Sequence, residues 1–416
     1  MGRWSQLYRQ GEMAMEKTNL NRRELLRHAG ICVTGLNLAS IISIAKANEN
    51  EHKTTGLFDK IYGCIAGAYI GSAMGVPVEG WDYRKIAYKY NLLQEMQSRR
   101  VIKGTLLVAG STEDGIERQK YMYLAIIEKQ DRITANDLVG TWLKMMNSDE
   151  KLEGMKQMTE QFDRDLMATA KAGTIPARRL GEKGYPHLNA PIRCFHPIAL
   201  INACDEEGAI KDMQDILRVY QPAQSDGYEW GKAYMAAVAH AIRADATVDS
   251  VIETALKYSS ADMKKEIQAG LDIAAKISDP INERKTIYAE FAKIYNKQSD
   301  TGPDAGAYPQ SRAHECATVA LSFFKAVKGN MKDGIILATN NGRDADCNTA
   351  ATGGLCGAFS GTKTIPAEWI EMVDAATKKN PYTNSQLTIE ETAKGMYTAL
   401  QNKARKMEAY GTLIKS

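Results

Sequence analysis

Two short acidic clusters lie far apart in the chain, and they constrain its fold more than any other feature of the sequence. The first falls in residues 111–115 (STEDG) and the second in residues 342–347 (GRDADC). Each stands at the start of a helical pattern, where clustered negative charge is tolerated because the helix dipole and free N–H groups face it. Hard divalent cations bind several converging carboxylate and hydroxyl oxygens. The clusters therefore predict a chain that folds back on itself to form one metal site, although ordinary helix capping explains either cluster taken alone.

Small residues mark two further segments that adjoin these clusters. Residues 63–75 carry glycine at every fourth position and lead to Glu79, and residues 348–361 are rich in glycine and alanine. Residues spaced by three or four share one face of a helix, so each segment would present a nearly bare face. This pattern predicts two helices whose backbones approach closely.

The order of these motifs resembles the ADP-ribosylglycohydrolase family over roughly residues 58–373: G-x3-G-x3-G-x3-E, then T-E-D, then D-x-D followed by a Gly/Ala helix. The resemblance implies an all-α fold with two metal ions, usually Mg²⁺, that hydrolyses the bond at the anomeric carbon of an ADP-ribosyl group. It implies that Glu79 approaches the ribose and that Glu79 and Glu113 are the catalytic carboxylates, acting as general acid or base. The positions that match the family's metal ligands are Thr112, Glu113, Asp114, Asp344 and Asp346.

Two residues depart from the family pattern at the metal site. Relatives commonly have Ser or Thr where this chain has Gly115, and Thr where it has Cys347. A thiol is a poor ligand for Mg²⁺, so one of the two metal positions is expected to be weaker, filled by water, or completed by Asn348 or Thr349. A softer ion such as Mn²⁺ is a possible alternative.

The segment expected to bind the substrate departs further from the family pattern. Residues 189–193 (NAPIR) stand where relatives have a glycine-rich loop that contacts the ligand, so Asn189 and Arg193 are the candidate substrate-binding residues. An ordinary entry into a helix explains the same segment equally well. His187 and His314 precede helices near these segments and are further candidates for substrate contact.

Helical periodicity dominates the rest of the chain, which predicts an all-α fold in a single compact multi-helix domain spanning residues 48–416. About 370 residues suffice for one large domain, and a site assembled from both ends of the chain favours one over two. The turns are predicted at residues 279–280 and 299–306. The clearest helical segments are residues 228–242, 248–258, 267–277, 287–295 and 317–327.

Residues 1–47 resemble a twin-arginine export signal. Residues 21–27 (NRRELLR) precede an uncharged apolar stretch, and Ala45 and Ala47 form a small-x-small cleavage site. A basic amphipathic N-terminal helix is the alternative, and Met13 or Met15 is a possible true start. The sequence thus predicts export, with a periplasmic location.

Without that segment the chain is nearly neutral. It contains seven of the 53 Lys and Arg residues and three of the 50 Asp and Glu residues, which leaves 46 basic and 47 acidic residues and a net charge of about −1. No basic tract interleaved with aromatic residues is expected, so the predicted partner is a small ribosyl or ADP-ribosyl molecule rather than nucleic acid or a membrane. The oligomeric state is left open.

The six cysteines after the export segment are expected to be free thiols rather than three disulfides, because a core of this size does not need them. Cys64, Cys204, Cys316 and Cys356 fall among apolar or small residues in helical patterns, which predicts that they are buried. His196 and His240 lie on helical faces and are expected to be core or surface residues.

Three functions remain open from the sequence. The first is a metal-dependent hydrolase of an N- or O-glycosidic bond in an ADP-ribosyl or related ribosyl substrate. The second is a family member that has lost catalysis and binds a nucleotide or sugar, which Gly115 and Cys347 favour. The third is a hydrolase of other furanosides or nucleosides.

Overall fold

The computed structural model describes residues 56–98, 101–102, 105–106, 108–146, 158–295 and 310–414. The predicted export segment and the turn predicted at residues 299–306 lie outside these ranges. Within them, regular structure is almost entirely helical, and the only strands are the two-residue antiparallel pair β1 (Val101–Ile102) and β2 (Thr105–Leu106). Two 3-10 helices span Val76–Val78 and Ala177–Lys183. The α-helices are α1 (Gly56–Gly75), α2 (Tyr83–Tyr90), α3 (Asp114–Lys129), α4 (Ala135–Met145), α5 (Gln161–Ala172), α6 (Ala190–Arg193), α7 (His196–Ile201), α8 (Glu206–Leu217), α9 (Asp226–Ala241), α10 (Val248–Lys257), α11 (Ala261–Ala275), α12 (Arg284–Tyr295), α13 (Ala313–Ala326), α14 (Met331–Asn341), α15 (Ala345–Ser360), α16 (Ala367–Lys379) and α17 (Ile389–Leu413).

The all-α prediction is confirmed, and the five segments with the clearest periodicity correspond to helices α9 to α13. Three of these helices start at a hydroxyl cap, because the side chains of Ser225, Thr247 and Ser260 each accept a hydrogen bond from the backbone N–H three residues on. The turn predicted at residues 279–280 separates α11 from α12. The described residues belong to one compact unit, as a single domain requires.

Helices α1 and α15 pack with their backbones in contact, as the small residues predict. A Cβ atom on Gly67 would lie 2.0 Å from the carbonyl oxygen of Gly353, and a Cβ atom on Gly353 would lie 2.2 Å from the carbonyl oxygen of Gly67. Further along, a Cβ atom on Gly75 would lie 2.4 Å from the carbonyl oxygen of Ala345. Only glycine fits at such positions. The two helices run antiparallel, so the C-terminal end of α1 meets the N-terminal end of α15.

The segment Gly56–Val78 is long and apolar enough to cross a membrane by length and composition. In this fold, 94% of its most apolar window is buried inside the domain. It packs against α14, α15, α16 and α17. We therefore describe α1 as the central core helix of the domain.

Helix α2 corrects one expectation from the sequence. The Nζ atom of Lys85 lies 3.8 Å from the ring centroid of Trp81, and that of Lys89 lies 4.9 Å from the ring centroid of Tyr90. Tyr88 projects into solvent, with 94% of its surface exposed. Basic and aromatic residues are therefore interleaved on this short helix, and the expectation that they are interleaved nowhere is wrong.

The six cysteines in the described part of the chain are free, as predicted for them, and five of the six are buried. Cys204 is the exception, because it follows the end of α7 in a left-handed conformation with φ of 65° and is exposed. The expectation that Cys204 is a buried residue of a helix is therefore wrong. Burial raises the pKa of Cys64, so this thiol stays protonated and behaves as a small apolar group.

Candidate metal centre and active site

The packing of α1 against α15 brings Glu79 close to the second acidic cluster. Just after Glu79, the backbone N–H of Gly80 donates to the carbonyl oxygen of Arg343 at 2.6 Å, and the N–H of Arg343 donates to the carbonyl oxygen of Trp81 at 2.7 Å. These bonds fasten the chain that leaves α1 to the turn that precedes Asp344. Glu79 is exposed at this point, whereas Asp344 is buried.

The turn before Asp344 has an unusual backbone that a partly buried ion pair stabilises. Gly342 and Arg343 both have positive φ, at 75° and 59°, and the second value is uncommon for a residue with a side chain. The guanidinium of Arg343 contacts both carboxylate oxygens of Glu315, with Nη2 at 2.8 Å from Oε2. Glu315 is buried. This pair holds the turn in the conformation that directs Asp344 into the site.

The second acidic cluster forms a compact group of possible metal ligands. One oxygen of Asp344, one oxygen of Asp346 and the Sγ atom of Cys347 all lie within 4.8 Å of one another. The side-chain amide of Asn189, at the N-cap of α6, donates to Asp344 Oδ2 at 2.7 Å. Asp346 Oδ1 is buried and has no hydrogen-bond partner among the described residues. A buried carboxylate oxygen without a donor is unfavourable, and a bound cation would satisfy it.

Electrostatics support the same interpretation. Burial raises the pKa of Asp346 well above the usual value of an aspartate. The negative charges of Asp344, Glu113 and Glu79 raise it further, while Arg193 opposes the shift. Negative charge therefore exceeds positive charge around Asp346. A hard divalent ion fits this oxygen-rich position, and Asp344 and Asp346 are the residues that would hold it.

The first acidic cluster has different partners. Glu113 is the N-cap of α3, and its Oε2 atom accepts the backbone N–H of Gly115 at 2.5 Å. Its Oε1 atom accepts the hydroxyl of Ser72, on α1, at 3.2 Å. Capping, the alternative explanation for the cluster, is therefore one function of Glu113. By contrast, Asp344 at the N-cap of α15 makes no side-chain cap bond.

Arg193 lies between the two clusters. Its Nη1 atom donates to Glu113 Oε2 at 3.1 Å and to Cys347 Sγ at 3.0 Å. Its Nη2 atom donates to Asp114 Oδ2 at 2.8 Å, and Nη1 is 3.9 Å from Asp346 Oδ2. Arg193 is buried, so these carboxylates and the thiol are its immediate surroundings. The structure places this predicted substrate-binding residue among the predicted metal ligands.

A second group of acids surrounds Asp114. Ligand oxygens of Asp114, Glu160 and Asp163 lie within 4.8 Å of one another, close enough to share an ion. The guanidinium of Arg118 lies among them, however, with Nε and Nη2 at 2.9 Å and 2.8 Å from the two oxygens of Asp163. Its Nη2 atom is also 3.4 Å from Asp114 Oδ2. The guanidinium of Arg118 therefore already supplies positive charge to these three carboxylates.

Arg118, Glu160 and Asp163 are not among the site residues predicted from the sequence. The four-residue spacing of Asp114 and Arg118 within one helix is a signal that can be read from sequence. Asp163 stands 45 positions from Arg118, and nothing local connects them. Only the packing of α3 and α5 around this pair reveals it.

The remaining candidates are one threonine and three histidines. Thr112 is buried. His187 pairs with Asp226, and His314 pairs with Glu266 at 2.8 Å. His196 is a core residue, as expected, with Nε2 at 2.8 Å from the hydroxyl of Tyr234. The roles of the two paired histidines in substrate contact stay predictions.

The two acidic clusters thus lie at helix N-termini of an all-α fold, with Arg193 between them. The sequence profile described as ADP-ribosylglycohydrolase matches residues 53–405, and the chain belongs to this family. Its class is therefore that of a glycosyl hydrolase of ADP-ribosyl-type substrates in general.

The fold is also similar to a solved structure described as an "ADP-ribosylglycohydrolase-related protein complex". The TM-score is 0.57 at 18% identity, and the match covers 82% of this chain and 98% of that chain. At this identity the likeness shows the fold alone. No curated protein matches the sequence.

Proposed function

We propose that this protein is a divalent-metal-dependent hydrolase that cleaves an N- or O-glycosidic bond at the anomeric carbon of an ADP-ribosyl or related ribosyl substrate. The observation that carries the proposal is an exposed carboxylate, Glu79, beside the buried Asp346, whose Oδ1 atom has no hydrogen-bond partner among the described residues. Glu79 is thus accessible to a substrate, whereas the buried oxygen of Asp346 would be stabilised by a cation. Membership in the family supports the reaction type.

Asp344 and Asp346 are the proposed ligands, and Mg²⁺ or Mn²⁺ is the proposed ion. When bound, such an ion supplies positive charge that binds vicinal hydroxyls and lowers the pKa of water. Asn189 orients Asp344 through its amide hydrogen bond, and the ion pair of Arg343 with Glu315 fixes the turn before it. The protein therefore positions its ligands through buried contacts that do not depend on the substrate.

Glu79 is the proposed general acid or base. It follows the 3-10 helix Val76–Val78 at the end of α1, so the close packing of α1 fixes its backbone while its side chain stays exposed. The hydrogen bond from Gly80 to Arg343 supports a position near the second cluster, and the charge of Glu79 contributes to the raised pKa of Asp346. A carboxylate there is positioned to hold or remove a proton from water, or to protonate the leaving group.

The test is Glu79→Gln, which keeps size and hydrogen bonding but removes the charge. We expect turnover to fall by on the order of 100-fold or more, with ligand affinity nearly unchanged. The substrates are ADP-ribosyl-arginine, ADP-ribosyl-serine, nucleosides and nitrophenyl furanosides, and the control is Glu95→Gln at another exposed glutamate. An unchanged rate on the best substrate would remove Glu79 from the mechanism.

The same panel separates the alternatives. Activity on furanosides or nucleosides alone would indicate a hydrolase with a different substrate. Binding of ADP-ribose without turnover of any compound would indicate a family member without catalysis. The contacts of Glu113 favour this last alternative, because a carboxylate that caps a helix and pairs with Arg193 is less available for chemistry.

We also propose export by a twin-arginine pathway, with residues 1–47 removed and the mature protein in the periplasm. The support is the pattern in residues 21–27 and the cleavage site near Ala47. Replacing Arg22 and Arg23 by lysine should retain the full-length chain in the cytoplasm, as measured by cell fractionation. Unchanged periplasmic accumulation would contradict the assignment.

A further inference from the structure

We infer that Arg193 takes the place of a second metal ion, so that this protein binds one divalent cation per chain, at Asp344 and Asp346. The guanidinium is then a fixed cation built into the chain. The inference rests on the proposed metal-dependent function, which it deepens by giving the number of ions and the residue that replaces one of them.

The first observation that supports the inference is the set of contacts made by the guanidinium of Arg193. Its two terminal nitrogens donate to Glu113, Asp114 and Cys347 at 3.1, 2.8 and 3.0 Å. A metal ion at the first cluster would compete with the guanidinium for these carboxylates. Mg²⁺ needs oxygen ligands at about 2.0–2.1 Å in near-octahedral geometry, and it would repel a guanidinium that keeps those contacts.

The carboxylates at the first cluster also have few acceptor positions left. Glu113 accepts hydrogen bonds from Ser72, Gly115 and Arg193. Asp114 Oδ2 faces two guanidinium groups, at 2.8 Å and 3.4 Å. Asp346 Oδ1, in contrast, has no partner among the described residues. The unmet demand for a cation is therefore at the second cluster.

Both departures from the family pattern lie against the same guanidinium. A Cβ atom on Gly115 would lie 3.2 Å from Arg193 Cδ and 3.2 Å from Arg193 Nη1, which is tight for any side chain. Cys347 offers its sulfur to Nη1 at 3.0 Å. A residue with a hydroxyl group at position 115 would crowd the arginine. The two changes that remove hydroxyl ligands are thus the two that accommodate Arg193.

The backbone of Arg193 is fixed as well. The side chain of Gln119, on α3, donates to the carbonyl oxygen of Arg193 at 2.7 Å. The backbone N–H of Arg193 donates to the carbonyl oxygen of Asn189 at 3.1 Å. The same short helix therefore carries Asn189 to Asp344 and Arg193 to the first cluster. A positive charge held by the fold requires no ion from solution.

Counting bound Mn²⁺ tests this inference without relying on activity. Equilibrium dialysis of the folded wild-type protein should give one ion per chain, with the electron paramagnetic resonance spectrum of an isolated ion. The variant Arg193→Met, combined with Gly115→Ser and Cys347→Thr, should bind two ions with the spectrum of a coupled pair, since paired metal sites lie about 3.5–4 Å apart. Arg132→Met is the matched control, because it removes a guanidinium whose partner is Asp212 rather than a member of either cluster, and it should still bind one ion.

Each outcome bears on the inference separately from the proposed function. Two coupled ions in the wild type would overturn the inference and leave the metal-dependent hydrolase intact. No bound ion in the wild type would overturn both. One ion in the folded triple variant, confirmed by circular dichroism, would show that Arg193 does not hold the place of a second ion. The wild-type count decides the question even if the triple variant does not fold.

Discussion

The two acidic clusters have the same number of carboxylates but very different partners. Glu113 and Asp114 face two guanidinium groups, a hydroxyl group and a backbone N–H. Asp344 accepts one amide hydrogen bond, and Asp346 retains a buried oxygen without a donor among the described residues. The comparison teaches that a count of carboxylates does not locate a metal ion. The two clusters differ in the positive charge that the protein already places beside them.

The difference originates in elements that the sequence keeps apart. Arg193 ends a four-residue helix in the middle of the chain, and Arg118 belongs to the helix that the first cluster opens. Both guanidinium groups reach the first cluster. The second cluster receives the amide of Asn189 and the charge of Glu79, and Arg193 reaches it at Cys347 Sγ (3.0 Å) and, at a longer distance, at Asp346 Oδ2 (3.9 Å). We therefore propose a structural role for the first cluster and a metal-binding role for the second.

The largest expected effect is the loss of cation binding at the second cluster. Asp346→Asn removes the charge and the unpartnered oxygen, so we expect both Mn²⁺ binding and hydrolysis to be lost. Asp114→Asn should weaken binding by no more than about 10- to 100-fold, the range for residues outside the ligand shell. Calorimetric titration of both variants measures the difference. Asp333→Asn, at a half-buried aspartate elsewhere, is the control.

Equal losses of cation binding in Asp346→Asn and Asp114→Asn would contradict the difference proposed between the two clusters. Both would then be ligands of one site. Retained binding in Asp346→Asn would instead place the ion elsewhere and remove the basis of the proposed function.

The next effect is on stability at the first cluster. Asp163→Asn leaves the buried guanidinium of Arg118 with less negative charge, and breaking a buried pair costs about 3–5 kcal/mol of unfolding free energy. Asp163 is fully buried and bonds both Nε and Nη2 of Arg118. Asp262→Asn, at the exposed pair with Lys265, should leave stability unchanged. Urea unfolding that shows a loss below about 1 kcal/mol for Asp163→Asn would contradict a structural role for this pair.

Much of the fold can be predicted from the sequence because its signals are local. Glycines four residues apart give α1 a bare face, and the antiparallel contact of Gly67 with Gly353 confirms the close approach. Amphipathic periodicity likewise predicts α9 to α13. The exposure of Cys204 was not predictable in this way, because it depends on a left-handed turn after α7.

The site itself could be predicted only in part. The motifs single out Glu79, Asp344 and Asp346. In the structure Asp344 and Asp346 form one group, and a backbone hydrogen bond joins Gly80, next to Glu79, to Arg343, next to Asp344. The position of Arg193 between the clusters depends on how α6 packs against α3 and α15, which no local pattern records. The sequence reveals which side chains carry charge, and the tertiary packing determines which charges cancel.

A smaller effect comes from His196, which lies between the helices that carry the two clusters. Its Nδ1 atom contacts Gln119 of α3, and its ring abuts Gly354 of α15. Burial lowers the pKa of His196 to about 3, so the folded protein does not protonate it between pH 6.5 and about 3. The unfolded chain does take up a proton below about pH 6.5, so this contribution to stability is complete above that pH and falls by up to about 1.4 kcal/mol per pH unit below it.

The measurement is the unfolding free energy of wild type and His196→Gln from pH 7 to pH 4. The variant should be less stable at pH 7 and should lose less stability on acidification, so the two curves converge. Parallel curves would show that His196 does not titrate differently in the folded and unfolded states.

The smallest expected effect is at Cys347, the residue that the two clusters share through Arg193. Its Sγ atom lies within 4.8 Å of ligand oxygens of both Asp344 and Asp346, so a bound ion would be near it. Cys347→Thr replaces a soft sulfur by a hard oxygen and should tighten Mg²⁺ by on the order of tenfold, or about 1.4 kcal/mol, while reducing the preference for Mn²⁺. Competitive titration of the two ions measures both quantities, and Cys356→Thr, farther along the same helix, is the control. Because the threonine hydroxyl of this variant would still accept a hydrogen bond from Arg193, the single substitution should leave the count at one bound ion. An unchanged preference between the two ions would mean that the side chain at position 347 contacts Arg193 but not the ion. Cys347 would then belong to the first cluster rather than the second.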